Sequence, residues 1–340
     1  MRKRYLAAEI YVGSGMHRIV NALRPKSKRQ IPVLAYHRVS ELTEDYPFDP
    51  GLISATKEEF LIQMHEVKKH HTAVTIEQMI DYIDNKITLP KNAILITFDD
   101  GFSDNYYTAF EILDDLSIPA TFFVTTDFID SDETIWYERL AYFFSKIETL
   151  SIALPKIDSQ VDFESSVIER RKAYIKIVEK LKLVSNEIRL NTLSELYDFY
   201  GDPYNVADDK DKKLSQSMSW QQLKEMSEAN MSIGSHSLSH PILSMLTKSE
   251  LTDELNKSKS TIEKKLKAEI NSLAFPVGQD ESYSSQVLNT TKESGYKIAF
   301  SYIDGINESN RFAIGRIHVD YHLPMTVLKS KISLPEVFCG

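Results

Sequence analysis

A single cysteine, Cys339, stands one residue from the end of the 340-residue sequence. It excludes an intrachain disulfide framework and fits a reducing compartment. No run of about 20 apolar residues is present to span a bilayer. Between Lys3 and Arg18 the apolar residues are interrupted by Glu9, Gly13, Ser14 and Gly15, so the apolar core of a secretory signal is missing too. Positive charge is in deficit: 40 Lys and Arg against 49 Asp and Glu give a net charge of −9. That balance argues against nucleic-acid binding through the phosphate backbone. There is no internal repeat and no low-complexity tract. These absences lead us to expect a cytoplasmic protein, either free or peripheral on the inner face of the membrane.

The charge that is present is unevenly spread. Residues 1–30 form a basic N-terminal arm, with eight Lys or Arg against Glu9, a balance of +7 that leaves −16 for the rest. Leu6, Ile10, Met16, Val20 and Leu23 can share one face of a helix, which would suit contact with an anionic membrane. Gly13 and Gly15 support the alternative, a solvated and frayed terminus.

With 42% apolar and 26% charged residues, the chain has the composition of a soluble globular protein with a substantial core. Strand-like runs fall at 32–36, 93–98, 120–124, 231–234, 271–275, 296–300 and 313–319. Between them lie helix starts of capping-box form at Thr56–Glu59, Thr75–Gln78, Ser219–Gln222 and Thr247–Glu250. Such alternation predicts parallel strands, in a closed barrel or an open doubly wound sheet, and seven strands favour the barrel. Residues 131–217 break the pattern and read as a mostly helical insertion, with 170–190 as one helical stretch. The remainder of 31–340 reads as a single catalytic domain.

Functional groups in such folds collect where strands end. At 97–101 the sequence TFDDG puts Asp99 and Asp100 side by side after the apolar run Ala93–Ile96. Asp-Gly is also common turn chemistry, and Asp caps helices. A phosphoaspartate nucleophile is not supported, because no Gly-rich phosphate loop lies nearby. The stretch SHSLSH, 235–240, places His236 and His240 four apart directly after a predicted strand. On a helical turn that spacing aims two imidazoles at one ion. Two imidazoles and one carboxylate make the three-ligand, open-position set of a hydrolytic Zn²⁺ site. One aspartate would then hold the metal, and its neighbour would take a proton from a water that the metal acidifies.

The ordered set TFDDG, H-S-x-x-H and the Phe-Pro-x-Gly of AFPVG (274–278) resembles the polysaccharide deacetylases, the family-four carbohydrate esterases with a NodB-like domain. The resemblance covers roughly 31–130 and 218–320. The first strand, VLAYHRVS at 33–40, is similar to the family's exopolysaccharide branch. It implies a distorted (β/α)₇ barrel and removal of acetyl groups from N-acetylated sugars by a divalent metal, Zn²⁺ first, with Co²⁺ or Ni²⁺ as alternatives. Asp99 would be the base, and Asp100, His236 and His240 the ligands. Metal-bound water would attack the acetyl carbonyl of an amino sugar in a polysaccharide or its lipid- or nucleotide-linked precursor. Pro276 and Val277 would shape the acetyl pocket. The Arg and Tyr that often accompany this third motif are absent, so the Val277 N–H becomes the oxyanion contact. Arg316 is the candidate to orient Asp99. His318 is the candidate general acid, because residues two apart on a strand face one side, and His37 is its alternative. Trp136 and Trp220 are either sugar-stacking walls or helix core, with core favoured for Trp220. The competing reading is a catalytically silent carbohydrate-binding or assembly protein on the same barrel.

Overall fold

The run AILITF, Ala93–Phe98, is buried at every position, as a strand covered on both faces must be. In the computed structural model, which describes residues 2–23, 31–305 and 310–339, it is the second of seven parallel strands. These are β1 (Val33–Tyr36), β2 (Ala93–Phe98), β3 (Thr121–Val124), β4 (Ser232–Ser235), β5 (Ser272–Ala274), β6 (Ile298–Asp304) and β7 (Ile314–His318). They follow one another around a ring in chain order. The ring closes because Leu34 of β1 pairs with Ile96 on one side and Ile317 on the other. The result is the distorted (β/α)₇ barrel, with one further short strand, Thr72–Ala73, beside β2.

Alternation along each strand divides the core in two. Leu95, Phe123, Ala274 and Phe300 pack together with Ile76, Met79 and Ile80, whose helix, Ile76–Ile83, plugs the barrel where the strands begin. Leu34, Ile96, Phe122 and Leu273 meet Phe60, Met64, Leu251 and Leu255 of the surrounding helices. Thr97 and Asp99 share the inward parity of Leu95, which aims Asp99 into the barrel mouth. All four capping boxes form, each with both reciprocal hydrogen bonds. Each N-cap is worth about 1 kcal/mol and fixes where its helix begins.

Between β3 and β4 the chain leaves the barrel. The helices Trp136–Lys146, Val167–Leu181 and Asn186–Tyr200 enclose an apolar cluster of their own around Phe143, Ile177, Leu181 and Leu196. Two features differ from the sequence expectation. An antiparallel hairpin, Ser151–Leu154 with Ser159–Asp162, lies within the insertion. The expected continuous helix over 170–190 is interrupted after Leu181, because Ser185 caps a new helix by accepting from the Ile188 N–H.

At the N-terminus two helices form, α1 (Arg2–Gly13) and α2 (Met16–Leu23). They separate at Gly15, whose φ is +76°. Ala8 and Tyr11 of α1 pack against Val327 and Phe338. Residues 24–30, with four of the arm's basic residues, lie outside the described residues.

Candidate metal centre and active site

The turn after β2 separates the two aspartates. Asp99 N–H donates to the Tyr36 carbonyl at 3.0 Å, and Asp100 then adopts a left-handed backbone, φ 76°. Gly101 follows at φ +101°, where a Cβ would lie 2.9 Å from Ile129 Cδ1. Only glycine fits this corner without strain. The corner sends Asp99 toward β7 and Asp100 toward the end of β4.

Asp99 meets Arg316 in a bidentate pair, Nη1 to Oδ1 at 2.7 Å and Nη2 to Oδ2 at 2.6 Å. Arg316 is fully buried in the barrel and also donates to the Ser301 carbonyl and Thr97 Oγ1. Burial alone would raise the Asp99 carboxyl. The guanidinium charge outweighs it, and the net shift is downward. Asp99 is therefore ionised at neutral pH and held in one orientation.

Asp100 is buried, and no described group donates to its carboxylate in good hydrogen-bond geometry, although His240 and the Tyr137 hydroxyl, itself without a well-aligned partner, stand beside it. Its Oδ1 instead lies 3.5 Å from His236 Nε2 and 3.4 Å from His240 Nε2. Burial opposes ionisation here as well, but the surrounding imidazoles of His240, His37 and His236 hold the carboxyl far below its usual range. His236 Nδ1 meets the Ala274 carbonyl at 2.8 Å, which turns Nε2 toward Asp100 in the manner of metal-binding histidines. Burial lowers His236 to about 4, so it is neutral at pH 7 and able to donate a lone pair.

His240 does not reach the site on a helical turn. Residues 236–240 form an irregular loop in which Ser237 and His240 take left-handed φ values of 67° and 57°. The serines supply the constraint: Ser237 Oγ accepts from His240 N–H, and Glu254 accepts from the N–H groups of Leu238 and Ser239. Strain of this kind persists only where its surroundings enforce it. Donor atoms of Asp100, His236 and His240 all lie within 4.8 Å of one another. One orphaned carboxylate and two imidazoles in a buried site fit a divalent transition metal.

A cavity of about 260 Å³ opens over this centre, lined by His37, Asp99, Asp100, His236, His240, Val277 and Tyr302 from the barrel side. The insertion closes it with Trp136, Tyr137, Tyr174, Val178 and Lys182. His37 Nε2 lies 4.0 Å from Asp99 Oδ2. His318, the first choice for general acid, does not line the cavity. Its ring stacks on Tyr302 at 3.7 Å and its Nε2 meets the Tyr302 carbonyl. Burial lowers it to about 4, leaving it neutral and without a proton to give at pH 7. The shared parity with Arg316 placed it on the inward side, but Tyr302 covers it there.

Pro276, expected to shape the acetyl pocket, is buried and does not line the cavity; its carbonyl accepts from Gly278 N–H. Val277 has φ 63°, a costly conformation for a β-branched residue. Its N–H meets no acceptor among the described residues. Trp136 contributes to the wall: its Nε1 donates to the His240 carbonyl, and Arg189 lies 4.8 Å over its ring. Trp220 packs on the core and is absent from the cavity. Three tyrosines of the cavity, Tyr137, Tyr174 and Tyr302, escaped the sequence reading. Tyr302 follows no motif, and Tyr137, edge-on to the His240 ring at 5.0 Å, lies in the insertion. Only the aromatic pair Trp136-Tyr137 after β3 offered a signal.

A family model for polysaccharide deacetylase matches residues 86–157 and 196–299, leaving unmatched 158–195 in the insertion. Among solved structures, the Streptococcus pyogenes deacetylase PplD in complex with acetate aligns with TM-score 0.57 and 18% identity, covering 86% of this chain and 93% of that one. A de-N-acetylase from Aggregatibacter actinomycetemcomitans gives 0.57 and 18%, with 88% and 98% covered. IcaB from Ammonifex degensii gives 0.54 and 18%, with 85% and 91% covered. At that identity the likeness is one of fold. No curated protein matches the sequence.

Proposed function

Because the chain belongs to the polysaccharide deacetylase family, we propose that it hydrolyses the N-acetyl group of an amino sugar at the centre built on Asp100, His236 and His240. The observation that carries this reading is the unequal partnering of two adjacent buried carboxylates. Asp99 is saturated by Arg316, while Asp100 has no well-aligned donor and faces two imidazoles. A binding protein has no use for an orphaned buried carboxylate, which is costly unless something cationic meets it.

We assign Zn²⁺ to the three donors on the chemistry of the set. When bound, a divalent ion acidifies water and polarises a carbonyl. Asp99, held ionised by Arg316, accepts the proton released as the acetyl carbonyl is attacked. His37 replaces His318 as the group that protonates the departing amine, since it alone of the two lines the cavity. The unpaired Val277 N–H is available to the developing oxyanion. Trp136, Tyr137 and Tyr174 form apolar walls suited to a sugar ring. The similarity of the first strand to the exopolysaccharide branch favours a glycan of that kind, or its lipid- or nucleotide-linked precursor, as substrate.

The test is acetate release from a panel of N-acetylated glycans, before and after chelation and with Zn²⁺, Co²⁺ or Ni²⁺ restored. Release should stop with chelator and return with metal. His236→Ala and His240→Ala should bind neither metal nor recover activity. Glycan binding with no acetate release under any metal would instead establish a silent carbohydrate-binding protein.

A further inference from the structure

Of the described residues that line the active-site cavity, Lys182 is the one lysine or arginine. The carboxylates there are already committed. Asp99 is held by Arg316, and Asp100 faces the two imidazoles. Asp49 accepts from the Gly51 N–H at 2.8 Å and from the Tyr174 hydroxyl at 2.9 Å. Lys182 is bound to none of them. Its Nζ meets Glu179 Oε1 at 2.8 Å, one turn back on the same helix. The Glu179 side chain is 63% exposed, and an exposed pair of this kind holds its charges weakly. An arriving anion can take the ammonium from Glu179 at little cost.

Helix geometry puts Lys182 on the substrate side. Tyr174, Val178 and Lys182 recur at intervals of four along Val167–Leu181 and its C-cap, and all three line the cavity as one stripe. The Lys182 N–H donates to the Val178 carbonyl at 3.0 Å, which keeps the helical spacing through the last turn. The stripe starts at Tyr174, anchored on Asp49, and ends about 12 Å further along the axis at Lys182. A cation at a helix C-terminus is ordinarily explained by the helix dipole. Here Lys180 already supplies one, directed at the Asp158 carbonyl at 3.0 Å, so the helix end does not require a second in the cavity. Lys182 also lies within 158–195, which the family model leaves unmatched. Its charge belongs to the insertion and not to the shared barrel site.

We propose that Lys182 determines specificity by selecting substrates that carry an anionic group, a carboxylate or a phosphate, near the N-acetylated sugar. The inference rests on the reading of this cavity as a deacetylase site. A lysine ammonium is a compact point charge with three donors, suited to either oxyanion. Exchanging the exposed Glu179 for an anion held inside the cavity strengthens the attraction, because less water screens it there.

Calorimetric titration of the full chain tests the proposal with two matched pairs of probes. A hyaluronan tetrasaccharide, which carries carboxylates, is compared with neutral chitotetraose. N-acetylglucosamine 1-phosphate is compared with N-acetylglucosamine. The wild type should prefer the anionic member of at least one pair, and the pair that responds identifies the group. Lys182→Gln should lower that preference about tenfold, the worth of one charge-assisted hydrogen bond. Lys182→Arg should restore it, and Lys182→Glu should reverse it. The preference should also weaken as salt is raised, and each variant should keep the wild-type unfolding temperature. A wild type without anionic preference, or a preference that Lys182→Gln leaves intact, would overturn the proposal. Acetate release from the same probes separates this failure from that of the proposed function. A Lys182-dependent preference with no release under any metal would keep the anionic ligand and refute hydrolysis. Release with no such preference would refute the selection alone.

Discussion

The two walls of the candidate active site come from regions with different rules. The barrel wall carries the charged groups, each fixed by backbone at a strand end: Asp99 and Asp100 after β2, His236 after β4, Arg316 on β7. The insertion wall carries mainly aromatic and aliphatic groups, with one cation, Lys182, on helices that pack on their own core and stretch across the part of the chain the family model omits. A parallel barrel can place a carboxylate to within a bond length because neighbouring strands hold it from both sides. A helical insertion can vary its side chains without disturbing that placement. The division assigns reaction to the barrel and choice of glycan to the insertion, as we propose.

Arg316→Met attacks the barrel wall most strongly. It leaves Asp99 as an uncompensated buried charge, and breaking a buried pair in this way costs about 3–5 kcal/mol. Denaturant unfolding should show a loss of that order, with turnover lost as well. A mild loss would mean that Asp99 finds another partner and that Arg316 is not its anchor.

Acid should find the barrel next. His236 and His318 lie at about 4 in the folded chain against about 6.5 in an unfolded one. Between those values the unfolded state binds protons that the folded state refuses, so stability falls as pH falls from about 6.5 to about 4. Each histidine contributes on the order of 3 kcal/mol to that loss. Melting temperatures of the chelated protein across this window should show it, and His318→Gln should remove a part. Asp99, with its folded value depressed, adds stability that persists above the usual carboxylate range and is lost only at lower pH.

The insertion should respond differently. Trp136→Ala should shift KM or the preference among glycans by roughly tenfold, in line with the stacking of one aromatic ring. Metal content and kcat should change little. A large fall in kcat with unchanged preference would place Trp136 with the barrel, through its hydrogen bond to the His240 carbonyl.

The same division sets what was legible in the sequence. Barrel strands announce themselves as short apolar runs, and a capping box is a local code that needs no tertiary context, so all four formed as written. The Asp99–Arg316 pair was also within reach, because period-two alternation points Arg316 inward. His318 obeyed the same alternation and yet is covered, since alternation gives a direction and says nothing of what stands in front. Whether Tyr302 or open cavity lies there depends on β6, far away in sequence. His240 arrives by a loop with left-handed residues, where i, i+4 spacing suggested a helical turn. The insertion was legible as helical but not in its hairpin, because Ser151–Asp162 is polar on one face and short.

The central claim is that two neighbouring aspartates have separate tasks, and paired substitution measures it most directly. Asp99→Asn and Asp100→Asn should be purified alike, and their metal content determined beside their rates of acetate release. The account predicts metal retained in Asp99→Asn with turnover reduced about 10²–10⁴-fold, and metal lost together with activity in Asp100→Asn. A metal-free or fully active Asp99→Asn protein would contradict it.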